Sequence, residues 1–427
     1  MAMMKSSNTE WLGDIPAEWD VAQIGNYYEL RNEKVSDYDF EPLSVTMKGI
    51  VPQLATAAKS DDHSNRKLVK KGDFVINSRS DRRGSCGISP LDGSVSLINT
   101  VMEPRGEMNP QYYNWLFHTE QFADEFYKWG HGIVDDLWTT RWQEMKKILI
   151  VAPSPDEQQS IADYLDETCS KIDEIIAEAK ASIDEYKELK QAVIFDGISL
   201  GTRKCCDYKR TTLKGIEKIP IEWEYRKLKF LIRYIESGVS VNAGNEPATE
   251  LEYGVLKTSC VSKMIFLPSE NKSVNKDEYD RVKCPVCGDT IIVSRMNTPD
   301  LVGACAYIEK NIDNIFLPDR LWQVHFNDNV NVKYIYYCLI SPYIRNYYSS
   351  LSTGTSSSMQ NISQGQFTNA IIPYPPLEEQ KEIVDFLDKR TKEIDSLIAE
   401  KESLINDLEA YKKSLIYEVV TGKRRVV

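Results

Sequence analysis

Two stretches of the chain place apolar residues at alternating three- and four-residue intervals over about 40 positions, the spacing that lays one apolar stripe along a helix. In the second stretch Ile383, Leu387, Ile394, Leu397, Leu404, Leu408, Tyr411 and Leu415 take the a and d positions of a heptad. In the first, Ile161, Leu165, Ile172, Ile175, Tyr186, Leu189 and Val193 do the same, and Ile176, Ile183, Ile398 and Ile405 widen the stripes. The two predicted helices are versions of one sequence. Residues 157–196 and 379–418 align without a gap at a shift of 222 positions and share 14 of 40 residues. At 1.5 Å per residue each makes a rod of roughly 60 Å, too long for one small domain to cover. The two stripes packing on each other is the economical solution.

Each helix is entered through prolines, "VAPSPDEQ" at 151–158 and "IPYPPLEEQ" at 372–380, which forbid helix upstream and set acidic residues in a first turn where the dipole favours them. Each ends in glycine and basic residues, "SLGTRK" at 199–204 and "TGKRR" at 421–425. The repeat also reaches the front of each half, where "DIPAEWDV" at 14–21 returns as "KIPIEWEY" at 218–225. Between these anchors "LVKKGDFVINSR" at 68–79 matches "CPVCGDTIIVSR" at 284–295, a Gly-Asp turn feeding a buried strand in both. The order is variable segment, long helix, variable segment, long helix, with the variable segments predicted to be mixed α/β and β-rich in the middle. The domain boundaries read from this pattern are 1–155, 156–200, 201–375 and 376–427.

Composition bounds the partners. A chain of 427 residues accommodates a duplicated unit of roughly 200, and 42% hydrophobic residues describe a folded protein with no run that approaches a membrane span. The start has no apolar segment of the kind that directs export, and the nine cysteines are too scattered for a secreted disulfide scaffold, so a cytoplasmic location is expected. A net charge of −12 argues against nucleic acid as a partner. Half of that deficit lies in the first repeated helix and its flanks, however, and the variable segments are nearly neutral, so each can still carry a basic face.

Candidate chemistry is sparse. "CPVC" at 284–287 has the spacing of a zinc knuckle but lacks a second ligand pair in sequence, and its repeat carries Leu68 and Lys71 at the matching places, so no metal is expected. "NPQYY" at 109–113 resembles the adenine-holding loop of amino-methyltransferases, yet no glycine-rich cofactor turn accompanies it, and a helix start is the better reading. Four histidines with no recurring Cys/His or Ser/His spacing supply no nucleophilic site. No catalytic residue is identified. What recurs is polar chemistry suited to base edges, since arginine forks onto guanine and Asn or Gln pairs with adenine. "NSRSDRRG" at 77–84 and "VSRMNTPD" at 293–300 stand at equivalent places, and "STGTSSSMQNISQGQ" at 352–366 matches the region of "KWGHGIVDDLWTTRW" at 128–142. The candidate DNA-contacting set is Lys48, Asn77, Arg79, Arg82, Arg83, His131, Ser294, Arg295, Asn297, Ser357, Gln360 and Asn361.

Pro-x-x-Glu-Gln entries ("PSPDEQ", "PPLEEQ"), each followed by Ile-x-x-[Tyr/Phe]-Leu-Asp, with "IPxEW" opening each half, resemble the DNA specificity subunit of type I restriction-modification systems over almost the whole chain. The resemblance implies two target recognition domains of mixed α/β fold separated by two long antiparallel coiled-coil helices, related as a pseudo-two-fold internal repeat. It implies a non-catalytic subunit in which each domain reads one half of a split double-stranded DNA target. It also implies two docked methyltransferase subunits, which carry the S-adenosylmethionine, and motor-nuclease restriction subunits; this chain itself needs no cofactor. The competing reading is a coiled-coil scaffold that binds proteins without recognising DNA.

Overall fold

The computed structural model describes residues 3–56, 63–132, 138–203, 207–213, 215–351, 353–356 and 359–426. The chain forms two compact units, one of residues 1–180 with 402–427 and one of residues 181–401. Each unit therefore holds one mixed α/β domain together with about half of each long helix.

In the first unit a four-stranded antiparallel sheet runs Cys86–Ile88, Phe74–Asn77, Asn99–Pro104, Tyr28–Leu30. A three-stranded sheet (Gly93–Val95, Arg66–Val69, Lys34–Val35) and the hairpin Leu43–Thr46/Gly49–Pro52 adjoin it. The strand Phe74–Asn77 starts where it does because Gly72 turns the backbone at φ 95° and the Asp73 carboxylate accepts from Lys70 N at 2.8 Å. Helices Pro110–Phe117 and Glu120–Lys128 cover the sheet with aromatic rings, Phe117 meeting Phe74 at 5.0 Å between centroids. Asn109 caps the first of these, accepting from Gln111 N and Tyr112 N with Pro110 behind it, so the "NPQYY" stretch is a helix start.

The second unit repeats the plan. Its four-stranded sheet runs Ile232–Ser237, Leu321–Phe326, Thr290–Ser294, Cys305–Ile308, the order of the first sheet read from its opposite edge. A second sheet of four strands (Asn271–Ser273, Gly254–Leu256, Ile312–Phe316, Pro285–Val286) includes one parallel pair. Helices Val332–Ile340 and Pro342–Leu351 close the core, with Asn331 capping the former as Asn109 does in the first unit. The mixed α/β repeat read from the sequence is the observed fold.

The recurrent motifs prove to be one joint built twice. The long helices span Pro155–Leu200 and Leu377–Val420. At the start of the first, Glu157 accepts the indole N–H of Trp19 at 3.1 Å, and at the start of the second Glu379 accepts that of Trp223 at 3.1 Å. The neighbouring Gln158 and Gln380 each donate to a proline carbonyl, Pro153 and Pro375, at 2.9 Å, and accept from the backbone of Asn109 and Asn331. The opposite helix ends at the same joint. Gly201, at φ 74°, lies against Trp223, and Gly422, at φ 70°, against Trp19 and Pro16. Thus "IPxEW" and "PxxEQ" are scaffold signatures whose Trp–Glu bond seats each domain on the helix pair.

Within each unit the helix halves run antiparallel. Asp173 pairs with Lys412 at 2.6 Å and Lys180 with Glu409 at 3.9 Å in the first, while Lys190 pairs with Asp395 at 2.7 Å and Gly197 packs on Leu387 in the second. Ile161, Leu165, Ile172, Ile176, Ile383, Leu387 and Ile394 are buried, and Leu408 is half-buried. Leu397 and Leu404 are not, being 41% and 39% exposed. The sequence reading is corrected there. Leu397/Ile398 and Leu404/Ile405 are adjacent apolar pairs, so two heptad registers one residue apart, about 100° around the helix, are equally apolar. The observed seam takes Thr391, Ile394, Ile398, Ile405, Leu408 and Leu415, and in the first helix Cys169, Ile176, Ala179 and Ile183. The same rotation leaves Ile175, Leu189 and Tyr411 exposed.

Candidate nucleic-acid interface

In the first unit a cleft of about 620 Å³ opens where the strand Phe74–Asn77 ends. The hairpin 43–52 forms one wall; Arg66, Asn77, Arg82, Arg83 and Asn99 are among the polar residues of the other. The hairpin approaches closely because Gly87 faces it, where a Cβ would come within 2.9 Å of Gly49 Cα. Lys48 sits exposed at the hairpin tip beside Met47, which lines the cleft. Asn77 is buried; its Oδ1 accepts from Arg79 N at 3.0 Å and so sets the turn into the short 3₁₀ segment Ser80–Arg82. Arg82, with a side chain 69% exposed, has only a loose pairing with Asp81 at 3.7 Å. Arg83 is held by Asp124 of the helix Glu120–Lys128. Arg79 and His131 both bridge to Thr139, and Tyr127 donates to the Arg79 carbonyl at 2.8 Å, so residues 52 positions apart meet at one rim.

Two residues of this cleft carried no sequence signal. Arg66 is 6% exposed, donating from Nε to Ser94 Oγ at 2.8 Å and from Nη2 to the Ser94 carbonyl at 3.0 Å. Burial pushes its pKa down, with Asp37 opposing, but a guanidinium keeps its charge in proteins, so Arg66 supplies a fixed positive centre beneath the cleft. Asn99 donates to the Ser96 carbonyl at 3.1 Å, while its Oδ1 is buried and finds no hydrogen-bond partner among the described residues. Both lie in strands whose alternation reads as ordinary sheet; only three-dimensional pairing exposes them.

In the second unit the strand Thr290–Ser294 leads into Met296–Asn297, which pairs antiparallel with Met359–Asn361, setting Met296 opposite Asn361 and Asn297 opposite Gln360. A third strand, Thr353–Ser356, completes this ladder. Four candidates far apart in sequence, Arg295, Asn297, Gln360 and Asn361, are thereby brought together. Arg295 donates from Nε to the Asp319 carbonyl at 2.9 Å and remains solvent-accessible; the Asn361 Oδ1 is buried without a partner among the described residues. Ser294 corrects the sequence reading. It is fully buried at the strand end, its hydroxyl donating to the Met296 carbonyl at 3.3 Å and accepting from Asn297 Nδ2 at 3.4 Å, so it orients the ladder and cannot itself reach a base. Ser357 lies outside the described residues.

A buried acceptor without a donor costs about 1–3 kcal/mol. Among the described residues such an oxygen stands at each candidate surface, Asn99 in the cleft with Arg66, Arg82 and Arg83 and Asn361 on the ladder that follows Arg295, the residue types that read adenine and guanine edges. Two of the histidines are tied locally, His118 to the Asn114 and Cys86 carbonyls and His63 to Asp37.

Comparison with known proteins gives this arrangement its context. Residues 220–407 match the family model described as the type I restriction modification DNA specificity domain. The chain is 26% identical over 416 residues to the type I restriction enzyme MjaVIII specificity subunit of Methanocaldococcus jannaschii, covering 90% of this chain and 88% of that protein. It is 28% identical over 182 residues to the EcoEI specificity subunit of Escherichia coli, a match that takes in 42% of this chain and 31% of that relative. Among solved structures, the HsdS subunit of Thermoanaerobacter tengcongensis superposes with a TM-score of 0.52 at 16% identity, covering 96% of this chain and 98% of that one. A chain from a study of complex assembly and conformational transition in a type I R-M system reaches a TM-score of 0.70 at 14% identity, covering 96% and 99%. Residues 220–407 thus match the type I restriction modification DNA specificity domain, and with its doubled Trp–Glu joints and long helices the chain is similar over most of its length to specificity subunits of type I restriction enzymes.

Proposed function

We propose that the two units read the two halves of a bipartite double-stranded DNA target. In the first unit the cleft around Arg66, Arg82 and Asn99 meets one half; in the second, the ladder carrying Asn297, Gln360 and Asn361 meets the other. The observation that carries this reading is the recurrence of an arginine-and-asparagine surface at the end of equivalent strands, Phe74–Asn77 and Thr290–Ser294. The acidic long helices, with exposed Ile175, Leu189, Leu397 and Leu404 between their charges, suit protein rather than phosphate. Two methyltransferase subunits, with S-adenosylmethionine bound to them and none to this chain, and the restriction subunits are their proposed occupants in the cytoplasm. Among the described residues no helix is long and apolar enough to cross a membrane.

In this reading the long helices set the spacer between half-sites. Inserting one heptad into both lengthens the pair by roughly 10 Å, or about three base pairs. The test is the target recognised by the assembled complex of the lengthened chain: a spacer longer by about three base pairs supports the reading, and an unchanged spacer in a folded protein rejects it. A scaffold that binds only proteins would instead retain no DNA sequence selectively at any salt concentration, whereas specific binding weakens steeply as salt rises.

A further inference from the structure

Away from the reading surfaces, three ligand-type side chains of the second unit converge from distant parts of the chain. One atom each from Glu236, Cys287 and His325 lies within 4.8 Å of the others. Glu236 and His325 come from neighbouring strands of the four-stranded sheet, Ile232–Ser237 and Leu321–Phe326, with His325 Nε2 at 2.7 Å from Glu236 Oε1. Cys287 follows the short strand Pro285–Val286 at the edge of the other sheet. The first cysteine of the same knuckle, Cys284, is buried, accepting from Gln323 Nε2 at 3.6 Å, and does not join that cluster. Partners that the sequence reading did not find for "CPVC" are supplied to Cys287 by the fold, from Glu236 upstream and His325 downstream.

The cluster is held in place by its surroundings. Gln323, fully buried, donates from Nε2 to Glu236 Oε1 and to the Pro285 carbonyl, both at 3.0 Å, and accepts from Cys287 N at 2.9 Å. One amide thus fixes the carboxylate and the knuckle together. The Tyr234 ring stacks on His325, centroids 4.2 Å apart and planes within 16°, which sets the imidazole plane. Outer partners that orient ligands in this way are characteristic of metal sites. A thiol, an imidazole and a carboxylate suit a borderline-soft tetrahedral ion, with water in the fourth position.

We propose that Glu236, Cys287 and His325 bind one zinc ion, with water completing the tetrahedron, and that this ion staples the two sheets of the second unit. The carboxylate enters ionised and the imidazole donates the Nε2 lone pair. The Cys287 thiol gives up its proton to solvent, so binding releases one proton and leaves the ion and its three protein ligands with no net charge. Among the described residues the first unit shows no such cluster. Leu68 and Lys71 stand at the matching knuckle places, and there an ion-pair triad, Arg31 with Asp73 and Glu103, ties strand to turn. The two readers would then differ in what holds them: one would loosen under chelation and the other would not.

The test uses the full chain, purified under reducing conditions, stripped of metal and titrated with Zn²⁺ alone against a chromophoric chelator, with Co²⁺ as a spectroscopic probe. One zinc per chain is expected, together with a thiolate-to-cobalt charge-transfer band. Cys287→Ser and His325→Gln should each weaken binding by at least about tenfold, and a Cys205→Ser/Cys206→Ser double variant should leave it unchanged. Zinc should also protect Cys287 of the native chain from alkylation, a readout independent of whether the variants fold. Zinc content insensitive to Cys287→Ser and His325→Gln, a cobalt spectrum without the thiolate band, or an unaltered alkylation rate at Cys287 would each overturn the assignment.

Discussion

Ile405 and Leu404 are neighbours on the second long helix, and truncating each to alanine separates the two possible heptad registers. Ile405 is 8% exposed and Leu404 39%. Either substitution removes three carbons, which at about 0.8 kcal/mol per buried group is worth about 2.4 kcal/mol when burial is complete. At Ile405 the seam also retains part of the vacated space, which brings the expected cost to about 2–4 kcal/mol. At Leu404 solvent fills the space, no enclosed cavity forms, and alanine returns a few tenths of a kcal/mol in helix propensity, so the loss should stay near about 1 kcal/mol. Urea unfolding of the isolated chain, followed by far-ultraviolet circular dichroism, reads the difference as a shift in midpoint at constant slope. A Leu404→Ala midpoint as low as that of Ile405→Ala would refute the seam and restore the register first read from the sequence.

Two further outcomes follow from the sites and joints. Arg82→Ala should weaken binding by about 1–3 kcal/mol at a single base pair if Arg82 forks onto a guanine, measured on duplexes substituted one position at a time; Arg83→Ala, whose partner is Asp124, should change binding by less. Gly201→Ala should destabilise the second unit by about 1–2 kcal/mol, because φ is 74° and the new methyl meets Trp223 at 3.0 Å. Gly106→Ala, also at φ 74° but with nothing within 4 Å, isolates the backbone share of that cost in a thermal melt.

The parts of this fold legible in the sequence are those written in local periodicity and punctuation. The long helices announce themselves by repeat and by proline and glycine, and the Gly-Asp turns by the strands they feed. Rotation about the helix axis was not legible, because Leu397 and Ile398 are interchangeable in hydropathy and only packing on the other helix distinguishes them. The roles of the motifs were hidden as well: nothing local tells that Trp19 bonds Glu157 across 138 positions, although the doubling of both motifs marked them as a pair. Site residues divided along the same line. Arg79 and Arg295 stood out by their place after a strand, whereas the pairing of Asn297 with Gln360 and the burial of Arg66 arise from long-range register. The cysteine knuckle was visible, but His325 lies in a strand whose alternation hides its partnership with Glu236.

The division of labour between the two units is tested most directly by mapping methylated adenines in DNA from cells that carry this chain with its methyltransferase partner, alongside the Arg82→Ala and Asn361→Ala variants. A split motif is expected, with Arg82→Ala relaxing one half only and Asn361→Ala the other half only. A contiguous motif, or variants that each blur both halves equally, would contradict it.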